Sequence, residues 1–463
     1  MISLPQVALR NVLRNGRRSM STTLSIMLSA ITILTFGSFM RYVVLSYQTS
    51  TVERVGHLAL YQKGYNAFGA GDPSAYGIPN YQRVVDTLRA DPQLSRLTRV
   101  VTETQAVFGV AGYYPAGTSR TFMGDGVVPA DRATMQRWNA YKIPEFDVRR
   151  SAVRSDDPES GVIGTGLATI LQMCAPLDLR WCAAPPPKVQ PVAADESQFE
   201  SLRALDAPAT MAAGGAKPRI DLLAATASGA PNVVSLNVER AEFQGVKEID
   251  DAYVAMTLPL AQKLVYGRGE PRVTSIVLQL NDTADLARAK KRVLQIIRQA
   301  GLSLEMRDFT QIAPLYAQTT SFLSVIFGFV ASILGTIVLF TVVNTLQMTV
   351  VERTNEIGTL RALGVQRGGV RNLFLAEGLI LGLAGATLGL LVASLLAFAI
   401  NASGLTWTPP GAAGRVPFRL YFFEFPQLLF GVWIGLVAIV TLASVRPANR
   451  AARMEVVDAL RHV

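Results

Sequence analysis

The sequence predicts a polytopic α-helical membrane protein with four transmembrane helices and a large α/β domain inserted between helices 1 and 2. Four apolar segments are long enough to cross a bilayer, which takes about 20 residues. Hydrophobic residues make up 50% of the 463 residues and charged residues only 17%, against about 25% charged in an average soluble domain. The mean hydropathy of +0.29 is modest, so much of the chain must lie outside the bilayer.

The chain divides into nine predicted segments. In order they are a cytoplasmic amphipathic helix at 1–19, a first span at 20–45, an outer α/β domain at 46–318 with a flexible insert at 183–217, a second span with a stalk extension at 319–350, a polar helix and loop at 351–371, a third span at 372–400, a short outer loop at 401–424, a fourth span at 425–445 and a cytoplasmic tail at 446–463.

The placement of arginines orients the spans. Segments 1–19, 351–371 and 446–463 are rich in arginine, and four spans put all three on one side. Basic segments beside spans mark the cytoplasmic side. The net charge of +10 therefore reflects topology, and no nucleic-acid partner is predicted because the basic residues flank spans instead of forming a basic, aromatic-studded surface. Four buried helices of a soluble protein are the disfavoured alternative.

The start of the chain has two open interpretations. Ser3 can cap a helix and Pro5 suits its first turn. Such a helix would place apolar Leu9 and Leu13 opposite arginines and lie along the lipid headgroups. The alternative is a basic tail that only sets the topology.

Small residues in the spans predict close helix packing. Small side chains let membrane helices approach one another, and the candidates for this role are Ala331, Gly335, Gly378, Gly382, Gly385 and Gly389. Glu377 lies in the first turns of the third span. A carboxylate there either marks an ion path or bonds a neighbouring helix. The second interpretation is favoured because no chain of acidic partners runs along the spans.

The outer domain is predicted to be a mixed α/β structure. Alternating apolar residues predict strands at 56–61, 98–114, 233–238, 253–257 and 273–280, and helical spacing predicts helices at Tyr81–Ala90 and from Asp282 or Thr283 to Ala300. A last strand at 302–306 closes a predicted β-α-β unit. The insert at 183–217 suggests two lobes.

The only two cysteines, Cys174 and Cys182, both fall in this domain. A small-loop disulfide is favoured over free thiols because the domain is predicted to face an oxidising compartment. No metal site is predicted, since the chain has only two histidines, His57 and His462.

The sequence carries no motif for ATP hydrolysis or metal-dependent hydrolysis. The phosphate-loop pattern G-x-x-x-x-G-K-[ST] is absent, the dipeptide Gly-Lys does not occur at all, and no H-E-x-x-H occurs. The polar helix at 351–364, held between two long uncharged stretches, is better suited to act as a lever arm. We therefore predict that this chain is the membrane component of a complex whose motor is another protein.

Several segments resemble one known family. Residues 352–364 read Glu-Arg-Thr-Asn-Glu-Ile-Gly-Thr-Leu-Arg-Ala-Leu-Gly, and residues 370–378 read Val-Arg-Asn-Leu-Phe-Leu-Ala-Glu-Gly. Both resemble permeases of the MacB, FtsX and LolC/LolE type, which belong to the type VII ABC systems. The runs at 446–453 and 457–461 resemble the closing motif of this family, and 164–168 resembles its glycine-flanked strand-to-helix step. The insert at 183–217 departs from the family pattern.

The resemblance implies a location and a set of partners. It implies a multi-pass protein of the bacterial inner membrane with its large domain in the periplasm. It also implies a second permease subunit, identical or paralogous, and a cytoplasmic ABC ATPase dimer that binds the ATP and Mg; this chain would be non-catalytic and hold no cofactor. Membrane lipids and a periplasmic carrier or adaptor complete the expected partners. Such permeases transmit motor motion to the periplasm, which is called mechanotransmission.

The same resemblance places ATPase coupling in the polar helix at 351–364. The expected coupling residues are Glu352, Arg353, Glu356, Ile357, Leu360, Arg361 and Gly364. Among them, Glu352 and Glu356 are suited to pair with basic residues on the ATPase. The apolar pair Ile357 and Leu360 should dominate docking, because exposed ion pairs contribute only about 0–1 kcal/mol. The alternative is a surface helix whose charges only meet lipid headgroups.

Three functions compete at this stage. The first is extraction of lipoprotein or lipid-like cargo from the inner membrane. The second is MacB-like efflux of peptides or small amphiphiles from the periplasm, and the third is FtsX-like mechanical activation of an extracytoplasmic enzyme. The size of the outer domain fits the first two better, and the absence of an ATPase domain from this chain argues mildly against MacB itself.

Overall fold

The computed structural model describes residues 4–69, 73–143, 153–179, 217–408, 415–422 and 425–456. The predicted insert at 183–217 lies outside the described residues except for Lys217, as does the predicted motif at 457–461. The chain forms two compact units. The membrane unit comprises Met1–Ser46, Ala317–Trp407 and Val416–Val463, and the sheet unit comprises Tyr47–Tyr316 and Thr408–Arg415.

Four helices are long and apolar enough to cross a membrane. We call them membrane helices 1 to 4, and their bounds are Gly16–Val55, Pro314–Glu352, Arg367–Ser403 and Pro426–Arg453. They contain 40, 39, 37 and 28 residues. About 20 residues cross the hydrocarbon core, so each of the four helices is long enough to span it. Each helix is also longer than the span predicted from the sequence. The chain is a polytopic helical membrane protein.

Shorter elements complete the membrane unit. An N-terminal helix covers Leu4–Arg14, a loop helix covers Thr354–Ala362, and a small hairpin pairs Thr406–Trp407 with Val416–Pro417. The N-terminal helix is shorter than the predicted segment 1–19. It stops at Asn15, and membrane helix 1 starts at Gly16, because asparagine and glycine are weak helix formers.

The glycine row of membrane helix 3 lies at two helix contacts. A Cβ atom added at Gly378 would lie 1.9 Å from the Oγ of Ser444 on membrane helix 4, and one at Gly389 would lie 2.4 Å from the Cβ of Ala30 on membrane helix 1. Gly382 faces membrane helix 4 and Gly385 faces membrane helix 1 in the same way. The absence of side chains therefore lets membrane helix 3 approach both neighbours closely.

The second predicted pair packs less tightly. Gly335 is buried, and a Cβ atom there would meet the Cδ1 of Ile439 at 3.3 Å, whereas Ala331 is only half-buried. The apolar core of the unit draws on all four membrane helices: Ile26, Ala30, Ile33, Val338, Val342, Leu346, Leu381, Ala386, Leu436, Val440 and Ala443.

The sheet unit is built on nine strands. They are β1 Leu58–Gln62, β2 Thr98–Tyr113, β3 Thr118–Val127, β4 Ser160–Gly164, β5 Arg219–Ala225, β6 Pro231–Glu242, β7 Tyr253–Thr257, β8 Ser275–Leu280 and β9 Leu304–Asp308. Their order is β3-β7-β4-β6-β5-β2-β8-β1-β9, with a further β3–β2 pairing. The strands from β3 to β2 therefore close into a six-stranded ring, and the long strand β2 also carries the β8-β1-β9 extension.

Helices cover this sheet and connect its strands. The α-helices are Tyr65–Phe68, Tyr81–Ala90, Leu94–Leu97, Pro129–Met135, Thr165–Ile170, Lys247–Asp250, Leu258–Tyr266, Leu286–Gln299 and Phe309–Ile312, and the 3₁₀ turns are Pro73–Tyr76, Tyr114–Ala116 and Thr283–Asp285. One apolar core contains Phe122 and Leu222 of the ring together with Leu264 of the helix Leu258–Tyr266. Another contains Leu60 of the extension together with Leu88 and Val293, which lie on the helices Tyr81–Ala90 and Leu286–Gln299. The sheet unit is therefore an α/β structure with two main cores along one sheet.

The predicted β-α-β unit is confirmed, and one further strand lies between its two parallel strands. Strands β8 and β9 both pair antiparallel with β1, so they run parallel to each other with β1 between them. The helix Leu286–Gln299 connects β8 to β9, and Asp282 caps the preceding 3₁₀ turn as expected, accepting a hydrogen bond from the backbone N–H of Ala284. The two predicted strands are thus neighbours of a third strand, not of each other.

Cys174 takes part in a disulfide bond. Cys182, its predicted partner, lies outside the described residues, so this pairing stays a prediction.

Candidate functional site

The loop helix ends in a motif that explains one predicted residue. Gly364 has φ +93°, a left-handed conformation that favours glycine. Its N–H donates to the carbonyl of Arg361 at 3.1 Å, and the N–H of Val365 donates to that of Leu360 at 3.1 Å. This pattern is a Schellman motif. Gly364 therefore terminates the loop helix, which is a structural role at the predicted coupling site.

A buried ion pair fixes the loop helix to membrane helix 3. Arg353 Nη1 donates to Glu377 Oε1 at 2.9 Å, and both side chains are almost fully buried. Asn11 of the N-terminal helix donates to the same carboxylate oxygen at 2.7 Å. Glu377 thus bonds two neighbouring helices, as the favoured interpretation expected. We call the side chains of Asn11, Arg353 and Glu377 the buried network.

Three further ion pairs lie in the same region. Glu356 pairs with Arg14 of the N-terminal helix and also meets Arg353 Nε at 3.2 Å, while Glu352 pairs with Arg18 near the start of membrane helix 1. The sequence had suggested that Glu352 and Glu356 pair with basic residues of an ATPase. The structure instead gives both of them partners within the chain.

The two residues of the predicted apolar docking pair, Ile357 and Leu360, differ in solvent exposure. Ile357 is only 3% exposed and packs with Val370 and Phe374, so it cannot offer a free surface. Leu360 is 37% exposed. The expectation that both residues face a partner is therefore wrong for Ile357, because the loop helix needs one apolar face to pack against its own chain.

The exposed apolar surface of this region lies nearer the end of the loop helix. Leu360, Leu363 and Val365 are exposed, Leu363 by 79%, and we call these three residues the loop patch. Arg361 lies beside it and donates to the carbonyl of Ala452 at 3.0 Å. Leu363 was not among the predicted coupling residues, although its position three residues after Leu360 indicates that the two share a helix face.

An apolar cleft opens between membrane helices 1, 2 and 4. Its volume is about 340 Å³, and its walls are Gly37, Met40, Arg41, Val44, Leu323, Ser324, Phe327, Phe425, Gln427 and Leu428. The guanidinium of Arg41 lies 4.7 Å from the ring centre of Phe425, a cation–π contact. Within the described part of the chain, Arg41 makes no salt bridge. The cleft thus combines apolar walls with one cation that lacks an anionic partner there.

Part of the membrane unit is similar to a known protein family. Residues 325–456 match the family described as FtsX-like permease C-terminal. The matched segment contains the loop helix, most of membrane helix 2, and membrane helices 3 and 4. It does not contain the N-terminal helix, membrane helix 1 or any of the nine strands of the sheet unit.

Individual relatives agree with this assignment. The macrolide export ATP-binding/permease protein MacB of Chlorobium luteolum is 26% identical over 226 residues, which cover 48% of this chain and 32% of the relative. The ABC transporter permease YknZ of Bacillus subtilis is 27% identical over 202 residues, covering 42% and 46%. The ABC transporter permease YtrF of the same species is 30% identical over 138 residues, covering 29% and 30%.

These matches support an ABC permease of the MacB/FtsX type, and they confirm the resemblance inferred from the sequence. The chain spans about a third of the length of the MacB relative and under half of YknZ. Among the described residues of this chain, no group of three or more His, Cys, Asp or Glu side chains could hold a metal ion.

Proposed function

We propose that this FtsX-like permease is the non-catalytic membrane subunit of an ATP-driven complex in the bacterial inner membrane, and that it transmits ATPase motion to a periplasmic sheet unit. A separate cytoplasmic ATPase dimer would hold the ATP and Mg, and a second permease subunit would complete the complex. The observation that carries this proposal is the loop helix, which is fixed to its own chain through the buried network while the loop patch stays exposed.

The buried network suits the transmission of a push. Arg353 and Glu377 join the loop helix to membrane helix 3, and Asn11 adds the N-terminal helix. Membrane helix 2 leads into this region without a break and contains 39 residues, which is about 58 Å at 1.5 Å per residue. A force applied to the loop patch would therefore reach a long rigid helix directly.

Substitution of Leu360 tests coupling. Leu360→Asp should strongly reduce copurification with the cognate ATPase, because it places a charge in an apolar contact. Leu294→Asp is the matched control, since Leu294 is exposed to a similar extent (39%) on the helix Leu286–Gln299. Copurification is measured by pull-down from detergent, and coupling by ATP turnover in nanodiscs. Equal ATPase binding and turnover for Leu360→Asp and the control would contradict the assignment of the loop patch.

For the cargo, we propose a lipoprotein or another lipid-like molecule taken from the inner membrane. The apolar cleft supports this choice, because acyl chains fit apolar walls and Arg41 offers a cation to an anionic or polar head. In native mass spectrometry, the complex should retain a triacylated cysteine lipopeptide, and Arg41→Gln should weaken the retention. Arg17→Gln, at the opposite end of membrane helix 1, serves as control. Equal retention by all three proteins would remove the cleft from the cargo path.

Efflux of peptides or small amphiphiles is the second candidate. The observation that favours it is the similarity to MacB proteins, which are named for macrolide export. A complex that retains no lipopeptide but copurifies with a periplasmic adaptor would favour efflux. A complex that instead holds a periplasmic hydrolase would favour mechanical activation of an enzyme.

A further inference from the structure

A polar cleft of about 320 Å³ opens in the sheet unit. Three segments that are distant in sequence form its walls: the last turns of membrane helix 1, the helix Pro129–Met135 with the residue after it, and the end of β6. Neither the loop patch nor the apolar cleft contributes a residue. The proposed coupling and cargo roles therefore leave this polar cleft without a function.

Arg132 gives the polar cleft a fixed wall. Its side chain is buried, and Nη1 donates to the carbonyls of Glu53 at 3.1 Å and Arg54 at 3.3 Å, while Nη2 donates to the hydroxyl of Tyr253 at 3.2 Å. A guanidinium that bonds the last carbonyls of a helix stabilises the end of that helix. Arg132 thus holds Glu53 and Arg54 in place at the rim of the cleft.

The lining carries charges of both signs. Arg54, Arg132 and Arg240 face Glu53 and Glu242, and Arg240 pairs with Glu242 at 3.0 Å. Asp125 also interacts electrostatically with Arg132 and Arg54, and burial raises the pKa of its carboxyl group. A site for a simple anion would present cations alone. This lining instead suits a ligand that has a negative and a positive end.

Gln136 adds an unmet hydrogen-bonding group. The residue is only 9% exposed, and its Oε1 atom is buried with no hydrogen-bond partner. A buried acceptor that lacks a donor costs about 1–3 kcal/mol. A ligand that donates a hydrogen bond to this oxygen would remove that cost.

We propose that the polar cleft binds a small zwitterion, namely an α-amino acid or the end of a peptide. The carboxylate of the ligand lies against the guanidinium of Arg54, and its ammonium group donates to Gln136 Oε1 beside the carboxylate of Glu53. Ligand pockets range over about 300–1,000 Å³, so a cleft at the lower end suits a ligand of one or two residues. The proposal concerns the sheet unit alone and does not rest on the proposed transport function.

Isothermal titration calorimetry of the full chain in nanodiscs tests the proposal with four probes. Alanine and dialanine carry both charges, acetate carries only the carboxylate, and ethylammonium carries only the cation. We expect binding of at least one of the two zwitterions, and much weaker or no binding of acetate and ethylammonium. Acetate binding as tight as alanine binding would show a simple anion site and overturn the proposal, as would the absence of binding by both zwitterions.

Two variants link the binding to the cleft. Arg54→Gln and Gln136→Leu should each weaken zwitterion binding about tenfold or more. Arg83→Gln, on the exposed face of the helix Tyr81–Ala90, is the matched control and should bind as the unchanged protein does. Gln136→Leu removes an unpartnered acceptor, so it should fold at least as stably and keep the test decisive if Arg54→Gln misfolds. Unchanged affinity in Gln136→Leu would overturn the placement of the ligand.

Discussion

The pairing of Arg353 with Glu377 shows why single residues near the loop helix were hard to interpret from the sequence. Both lie beside apolar segments, and the sequence assigned Arg353 to a partner protein. In the fold the two side chains are buried against each other, with Asn11 as a third member. Only the three-dimensional contact separates a docking arginine from one that holds its own chain together.

The buried network makes a prediction about stability. Arg353→Leu should destabilise the membrane unit by about 3–5 kcal/mol, because it leaves the Glu377 carboxylate buried without its cation. The double variant Arg353→Leu/Glu377→Leu should be more stable than Arg353→Leu, since no unpaired charge remains. Thermal unfolding in nanodiscs measures both effects.

Arg367→Leu is the control for that comparison, because Arg367 is exposed at the start of membrane helix 3. It should unfold at nearly the temperature of the unchanged protein. A double variant no more stable than Arg353→Leu alone would show that the buried charge is not the source of the loss.

At the scale of elements, helix packing depends on the glycines of membrane helix 3. Gly378 lies so close to Ser444 that a Cβ atom would sit 1.9 Å from its Oγ and 2.7 Å from its Cβ. Gly382 is less tightly placed, since its nearest neighbour is the Cβ of Val440 at 3.2 Å. The regular spacing of these glycines predicted one packing row. The contact distances show that its members differ in how closely the neighbouring helix approaches them.

Alanine substitution tests this ranking. Gly378→Ala should destabilise the membrane unit by about 1–3 kcal/mol, because the added methyl group forces membrane helices 3 and 4 apart. Gly431→Ala on membrane helix 4 is the matched control, since nothing lies within 4 Å of its added Cβ. Chemical unfolding in mixed micelles compares the two variants, and equal stability would make the close approach at Gly378 unimportant.

The sequence predicted some elements of the sheet unit well and missed others. The helix Tyr81–Ala90 has the predicted bounds, since its apolar residues recur at helical spacing. Strand β3 was missed because its sequence is polar and contains Gly124 and Gly126, which weaken a strand signal. Gly126 is required by packing: a Cβ there would lie 2.2 Å from the Cβ of Ala261.

Strand β5 was missed for a different reason. It follows directly after the predicted insert at 183–217, although Ile220, Leu222 and Ala224 alternate with exposed residues in the period of two expected for a strand. At the candidate site, the sequence located the loop helix but not its partners. Asn11, Arg14 and Arg18 are more than 300 residues away along the chain, and local spacing carries no information about such pairs.

At the scale of the whole molecule, the stability of the sheet unit should depend on pH through His57. Its ring is buried: Nδ1 accepts a hydrogen bond from the N–H of Leu280 at 3.0 Å, and Nε2 lies 3.0 Å from the hydroxyl of Thr283. Burial lowers the pKa of His57 from 6.5 to about 4, against a smaller opposing effect of Asp282. The neutral ring fits this site, because a proton on Nδ1 would break the bond to Leu280.

The sign of the pH effect follows from the lowered pKa. Above pH 6.5 His57 is neutral in both states and does not affect the pH dependence. As the pH falls from 6.5 towards 4, His57 becomes protonated in the unfolded chain but stays neutral in the native state. The native state therefore loses about 3 kcal/mol of stability relative to the unfolded state. The contribution of Asp91 to stability is lost at lower pH. Hydrogen bonds from Arg292 lower the pKa of its carboxyl group, so this contribution is lost only below the ordinary pKa of aspartate.

The two groups can be separated by measuring the unfolding temperature in nanodiscs from pH 8 down to about pH 2, which lies below the ordinary pKa of aspartate. Trp138, whose ring centre is 5.1 Å from that of His57, provides a fluorescence signal close to the site. The unchanged protein should lose stability from about pH 6.5 downwards. His57→Gln should flatten the curve between pH 6.5 and 5, since glutamine does not titrate, whereas Asp91→Asn should leave that window unchanged and flatten only the acid end. An equally steep decline between pH 6.5 and 5 in His57→Gln would assign the pH dependence to other groups.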